Sequence, residues 1–190
     1  MGIRKRAVRG CTALVSSVVI ALPVVAAVAP AHAAEAAAQP GGKVVISEIA
    51  NGGPGGYHDN FIEIANWGDE PVDVSGWELF RCTGTGSVAS TPQNTLQGTI
   101  GAGERWLFAR ESDQSTIADA DVKQRYKTSL ANESYGAQLR DSSGEDVDAV
   151  AVQFPGTANQ ACGEGTVLAN TTDSAAGESF QRTQDTDDNA

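Results

Sequence analysis

Few residues in this chain are of a type that could carry chemistry, and their spacing decides how each is read. Glu48 and Glu63 form the sharpest pair. In KVVISEIA, Lys43–Ala50, strict alternation places Glu48 on the face of Val44 and Ile46. In NFIEIANW, Asn60–Trp67, it places Glu63 on the face of Phe61 and Ala65. On neighbouring strands the two carboxylates would approach each other, as a metal site or an acid/base pair requires. The alternative is structural, because a buried carboxylate must be satisfied. Hydroxyl or backbone donors near Ser47 or Asn66 would do this, and each glutamate would then fix strand register. The structural role is the expected one.

His58 lies beside Asp59 in a glycine-rich loop and is the one histidine beyond residue 33. A Ser–His–Asp site needs a strained nucleophile turn such as GxSxG, and none occurs. Zinc would need more His or Cys ligands than remain. Pro54 interrupts Gly52–Gly56 and removes an amide donor, and no Lys-Ser/Thr follows, so the loop is no phosphate cradle. Trp67, Trp77 and Trp106 fall in periodic apolar runs and read as packing residues. Trp67, flanked by Asn66 and Gly68, is the one expected to be most exposed. His58, Asp59 and Trp67 are therefore the candidate binding-loop residues. Asp185, Asp187 and Asp188 resemble a fragment of a calcium loop, without its central glycine and closing glutamate. They read as a solvated acidic tail, and at most weak calcium binding is expected there or among Asp119, Asp121, Asp141, Glu145 and Asp146. No catalytic set, resident metal or cofactor is expected.

The elements that must position these residues begin after a leader. Residues 1–33 hold Arg4, Lys5, Arg6 and Arg9, no acid, then an apolar run and an Ala31-His32-Ala33 site. That order reads as a cleaved signal peptide and not an anchor, since Ser16, Ser17 and Pro23 break the run. No membrane span is expected after cleavage. Residues 34–42 form a linker. Cleavage leaves 157 residues and moves the formal charge from −11 to −15. Such a polyanion disfavours direct nucleic-acid binding. Cys82 and Cys162 then remain as an even pair in an oxidising compartment, most simply a disulfide. Closing a loop of roughly 80 residues would stabilise the fold by about 4–5 kcal/mol.

Short β-branched runs between turn signals predict strands over 43–50, 60–67, 72–74, 77–82, 95–100, 105–109, 136–139, 146–152 and 178–182. Ser115–Lys127 is the one helical prospect, through Ile117, Val122 and Tyr126. The pattern predicts an all-β sandwich or barrel.

Several segments together resemble a lamin tail domain. They are Ile46-Ser47-Glu48-Ile49, Phe61-Ile62-Glu63-Ile64-x-Asn66 and Pro71-Val72-x-Val74-Ser75-Gly76-Trp77-x-Leu79. Gly101-x-Gly103-Glu104, Ser129-Leu130-x-Asn132, Ala137-x-Leu139, Gly144-x-x-Val147-Asp148-x-Val150 and Ser179-Phe180-Gln181-Arg182 continue the pattern. The resemblance covers residues 43–182, leaving 183–190 as an acidic tail. It implies an immunoglobulin-like β-sandwich of the bacterial secreted type, found alone or beside extracellular nucleases, phosphoesterases and other hydrolases. It brings no catalytic residues. The ending Asp187-Asp188-Asn189-Ala190 departs from the expected Asp-Phe and further domain, which fits a naturally short chain or a truncated one. The expected function is a secreted, non-catalytic binding module that meets a protein or cell-wall polymer through Asn51–Asp59 and Cys82–Asn94. The alternative is an accessory or truncated N-terminal module of a secreted nuclease- or phosphoesterase-type hydrolase.

Overall fold

Nine predicted strand segments become twelve strands in the computed structural model, which describes residues 43–132, 134–154, 162–169 and 179–183. They are β1 (Val44–Ala50), β2 (Phe61–Asn66), β3 (Val72–Asp73), β4 (Glu78–Arg81), β5 (Asn94–Thr95) and β6 (Thr99–Ile100). There follow β7 (Arg105–Arg110), β8 (Gln124–Tyr126), β9 (Tyr135–Arg140), β10 (Asp146–Gln153), β11 (Leu168–Ala169) and β12 (Phe180–Gln181). One five-stranded sheet runs β12-β1-β2-β7-β8, a second runs β11-β10-β9-β4-β5, and β3 and β6 form a small third. Among the described residues, strand pairings are antiparallel except β7–β8 and β10–β11. The predicted leader lies outside the described residues, as do the linker and the Asp185, Asp187 and Asp188 tail. No helix among the described residues is long and apolar enough to cross a membrane.

The sheets face each other as an immunoglobulin-like sandwich. Its core includes Ile46, Ile49, Ile62, Ile64, Leu79, Trp106, Phe108, Tyr135, Leu139, Val150 and Val152, all buried. Each fully buried side chain of this size stabilises the fold by about 1.5–3 kcal/mol, so this layer dominates.

Two local expectations change. The span 95–100 is not one strand: Gly98 turns at φ 102° and sends β5 and β6 to different sheets. The helical prospect Ser115–Lys127 holds a single 3-10 turn, Asp119–Asp121, and then β8. Its apolar stripe was too thin to stabilise a helix. Tyr126 is instead drawn into the core, where its hydroxyl donates to Asn60 Oδ1 at 2.7 Å.

The connections divide sharply. The ends of β1, β4, β7, β8 and β10 and the start of β9 gather at one end, with the long loops 51–60, 82–93, 111–123 and 127–134. Asn51 Nδ2 ties the two sheets there, donating to the Ala131 and Asn132 carbonyls at 2.7 and 2.6 Å. The opposite end carries tight turns, among them Gly76, Gly103 and Gly144 with φ of 80°, 71° and 88°.

Candidate functional site

The long-loop end is organised around Asp59. Gly53 and Gly56 exchange backbone hydrogen bonds at 3.0 and 2.8 Å, closing a small turn over Pro54-Gly55. The chain then folds back so that the Asp59 carboxylate sits inside it, 1% exposed. Gly55 N donates to Oδ2 at 2.6 Å, Ser115 Oγ and Thr116 N to Oδ1 at 2.9 and 2.6 Å, and Thr116 Oγ1 to Oδ2 at 2.5 Å. Burial opposes the charge, but the donors on Thr116, Gly55 and Ser115 outweigh it and hold the carboxyl below the usual range. Asp59 thus joins two loops from within, and its predicted place on a contact surface is corrected.

The glycines follow from this geometry. A Cβ on Gly53 would stand 2.7 Å from Asp59 Cβ, and one on Gly55 2.8 Å from Asp59 Oδ2. The carboxylate is pinned by four donors and cannot give way. Gly55→Ala is therefore expected to cost about 1–3 kcal/mol, measured by urea unfolding. An unchanged midpoint would contradict the cradle.

This fixed turn presents Tyr57, 56% exposed. Its carbonyl accepts from Asn60 Nδ2 at 2.6 Å and Arg110 Nη1 at 3.3 Å. The Arg110 guanidinium lies 5.0 Å from the Tyr57 ring centre, and the His58 ring lies 4.0 Å away at 34°. His58 Nδ1 and Ser112 Oγ are 2.8 Å apart. Of the predicted loop residues, His58 is here. Trp67 is not: it is 7% exposed and packs with Val45 and Ala65. Asn66 explains the correction. Its side chain binds the Glu70 carbonyl and Gly68 N at 2.7 and 2.9 Å, curling the turn, while Trp67 N continues the β1–β2 ladder to the Lys43 carbonyl at 2.7 Å. Sequence reasoning placed Tyr57 in the Asn51–Asp59 loop without singling it out, and it missed Arg110. A tyrosine directly after five turn residues was the available signal.

Glu48 and Glu63 stand directly opposite each other in the β1–β2 register. They share the outer face, not the apolar core face that alternation predicted for Glu48. A bulge at Ser47 shifts the register between Ile46 and Glu48, so Ile46 and Ile49 both point inward and Glu48 turns out. Glu63 Oε1 accepts from Ser47 Oγ and Arg105 Nη1, each at 2.6 Å, and Glu48 accepts from Ser179 Oγ. Burial pushes the Glu48 carboxyl above its usual range, the Ser179 hydroxyl opposes this, and the facing Glu63 adds to the rise. No three His, Cys, Asp or Glu side chains cluster as a metal site among the described residues.

The two titrations have opposite signs. The folded state raises the Glu48 pKa, so ionised Glu48 destabilises at neutral pH and the penalty disappears as acid protonates it. Asp59 is lowered, so its stabilisation is present at neutral pH and lost as pH falls through its folded pKa. Glu48→Gln is expected to raise the Tm slightly at pH 7 and to lose that advantage below about pH 4. Asp59→Asn should lower the Tm at pH 7, with its deficit shrinking in acid. Parallel melting curves for the two variants would expose a wrong assignment.

Cys82 and Cys162 form a disulfide with Cα atoms 6.1 Å apart. The bond sits on the outer face of the second sheet. A Cβ on Gly136 would be 2.6 Å from Cys82 Sγ, and one on Gly163 2.5 Å from Ala151 Cβ. Small residues thus let the segment around Cys162 lie against β9 and β10.

The lamin tail domain family model matches residues 37–153, more than half of the chain. The chain belongs to the lamin tail domain family. No curated protein matches it. The match stops at the end of β10, yet this lamin tail domain continues structurally through β11 and β12. The last of these is locked by a charge pair. Asp148, 2% exposed, accepts Ile46 N from the opposite sheet at 2.5 Å. Both its oxygens also accept from Arg182 Nη1, at 2.8 and 3.0 Å. Three segments of the family pattern, those holding Ile46, Asp148 and Arg182, meet at this point.

Proposed function

We propose that this lamin tail domain is a secreted, non-catalytic module that binds a protein or cell-wall polymer through its long-loop end. The carrying observation is the fixed turn around Asp59, whose four donors and two sterically required glycines hold an exposed aromatic residue in one position. Order settled before binding reduces the entropy lost on association. The basic and apolar leader of residues 1–33 supports export. The acidic charge favours partners other than nucleic acid.

The test is a pull-down of the secreted chain on cell-wall material and on secreted proteins, with and without calcium. A retained partner is expected, together with a mass that places the first residue near Ala34. Retention should survive Asp73→Lys at the tight-turn end. Absence of any partner in both conditions would overturn the proposal.

A further inference from the structure

We infer that Tyr57 is the contact ring of this site and that its partner is a neutral, hydroxyl-rich saccharide. The inference deepens the binding role proposed above and rests on it.

Tyr57 is the one large apolar side chain exposed among the described residues. A standard protein interface covers about 800 Å² per partner around several buried anchors. One ring does not supply that, but it matches the apolar face of a single sugar. The polar groups beside it suit hydroxyls. Arg110 pairs with no carboxylate among the described residues. His58 Nδ1 is held by Ser112 Oγ, which fixes the imidazole ring beside Tyr57, and Gln114 is exposed in the same loop as Ser112.

Charge narrows the choice. Exposed Glu111 and Asp113, one and three residues after Arg110, outweigh its cation. The whole chain carries −11. An anionic polymer would approach against that field, whereas a neutral glycan would not. The ring offers a surface for sugar C–H groups, and the guanidinium, imidazole and hydroxyl offer partners for the rim.

Native affinity gels containing a soluble α-glucan, β-glucan, mannan or xylan test this with the secreted chain. At least one should retard it. Tyr57→Ala should weaken that binding about tenfold or more, and Tyr57→Phe should retain most of it. Both variants should fold and melt close to the wild type, because the ring is more than half exposed and touches only His58 and Arg110 side chains. The inference is overturned if no neutral polysaccharide retards the wild type, if Tyr57→Ala binds equally, or if a polyuronate binds more tightly. If a protein partner is retained in the pull-down but no polysaccharide acts, the saccharide falls and the binding module stands. If neither is retained, both fall.

Discussion

Asp148→Ala is expected to remove about 3–5 kcal/mol of stability and to lower the Tm by about 10–20 °C. The magnitude follows from what would be left behind. Asp148 and Arg182 have side chains 2% and 11% exposed. Two charges taken this far from water lose much of their solvation, so the intact pair need not be worth much in itself. Deleting one partner is different. The Arg182 guanidinium would remain desolvated without its counter-charge, and the Ile46 N–H at the bulge would lose its acceptor. An orphaned buried donor alone costs about 1–3 kcal/mol. The double variant Asp148→Ala/Arg182→Met should therefore be clearly more stable than the two single losses added together. Urea unfolding of the four proteins measures this coupling. A loss below about 1 kcal/mol in Asp148→Ala would show that the carboxylate does not join the sheets.

Replacing Cys82 and Cys162 by serine and alanine should cost about 4 kcal/mol, since the bond closes a span of 80 residues. Packing adds to the chain-entropy effect. Phe80, Ala149 and Ala151, on the outer face of the second sheet, are buried, and Gly163 lies directly against Ala151. Losing the tether would let water reach apolar surface there. Wild-type protein in reductant should melt near the variant, while the variant should not respond to reductant. Equal melting of oxidised wild type and variant would contradict this role.

The architecture was legible where β-branched and large apolar residues are dense. β1, β2, β7 and β10 are rich in Val, Ile, Leu and Phe, and their outlines follow the predicted segments closely. β8 and β11 were not legible. Gln124–Tyr126 and Leu168–Ala169 pair in parallel with the strands just before them, across crossovers and not hairpin turns, so tertiary contacts define them. The Ser47 bulge left a readable trace, because Ile46 and Ile49 are three apart where strict alternation requires two or four. Asp148 left another: it shares parity with Val150 and Val152, which places a carboxylate among core residues. Neither trace reveals its partner. Ser179 and Arg182 reach β1 and β10 from sequence separations of 131 and 34. Trp67 failed for a related reason, since side-chain bonds of Asn66 and not local hydropathy decide where that ring lies.

The position of β12 beside β1 sets a problem of timing. The first strand of the sandwich is paired on one side with the last, so one edge must wait for the end of the chain. Contacts of such long range raise contact order and slow folding, and an unpaired strand edge invites pairing between molecules. Asp148 precedes β12 by more than thirty residues and accepts the Ile46 amide on β1. A chain folding from its N-terminus therefore has a carboxylate to blunt the open edge before its final strand arrives. Arg182 closes over the same carboxylate, so one side chain covers the β1 amide and clasps the segment that follows β12.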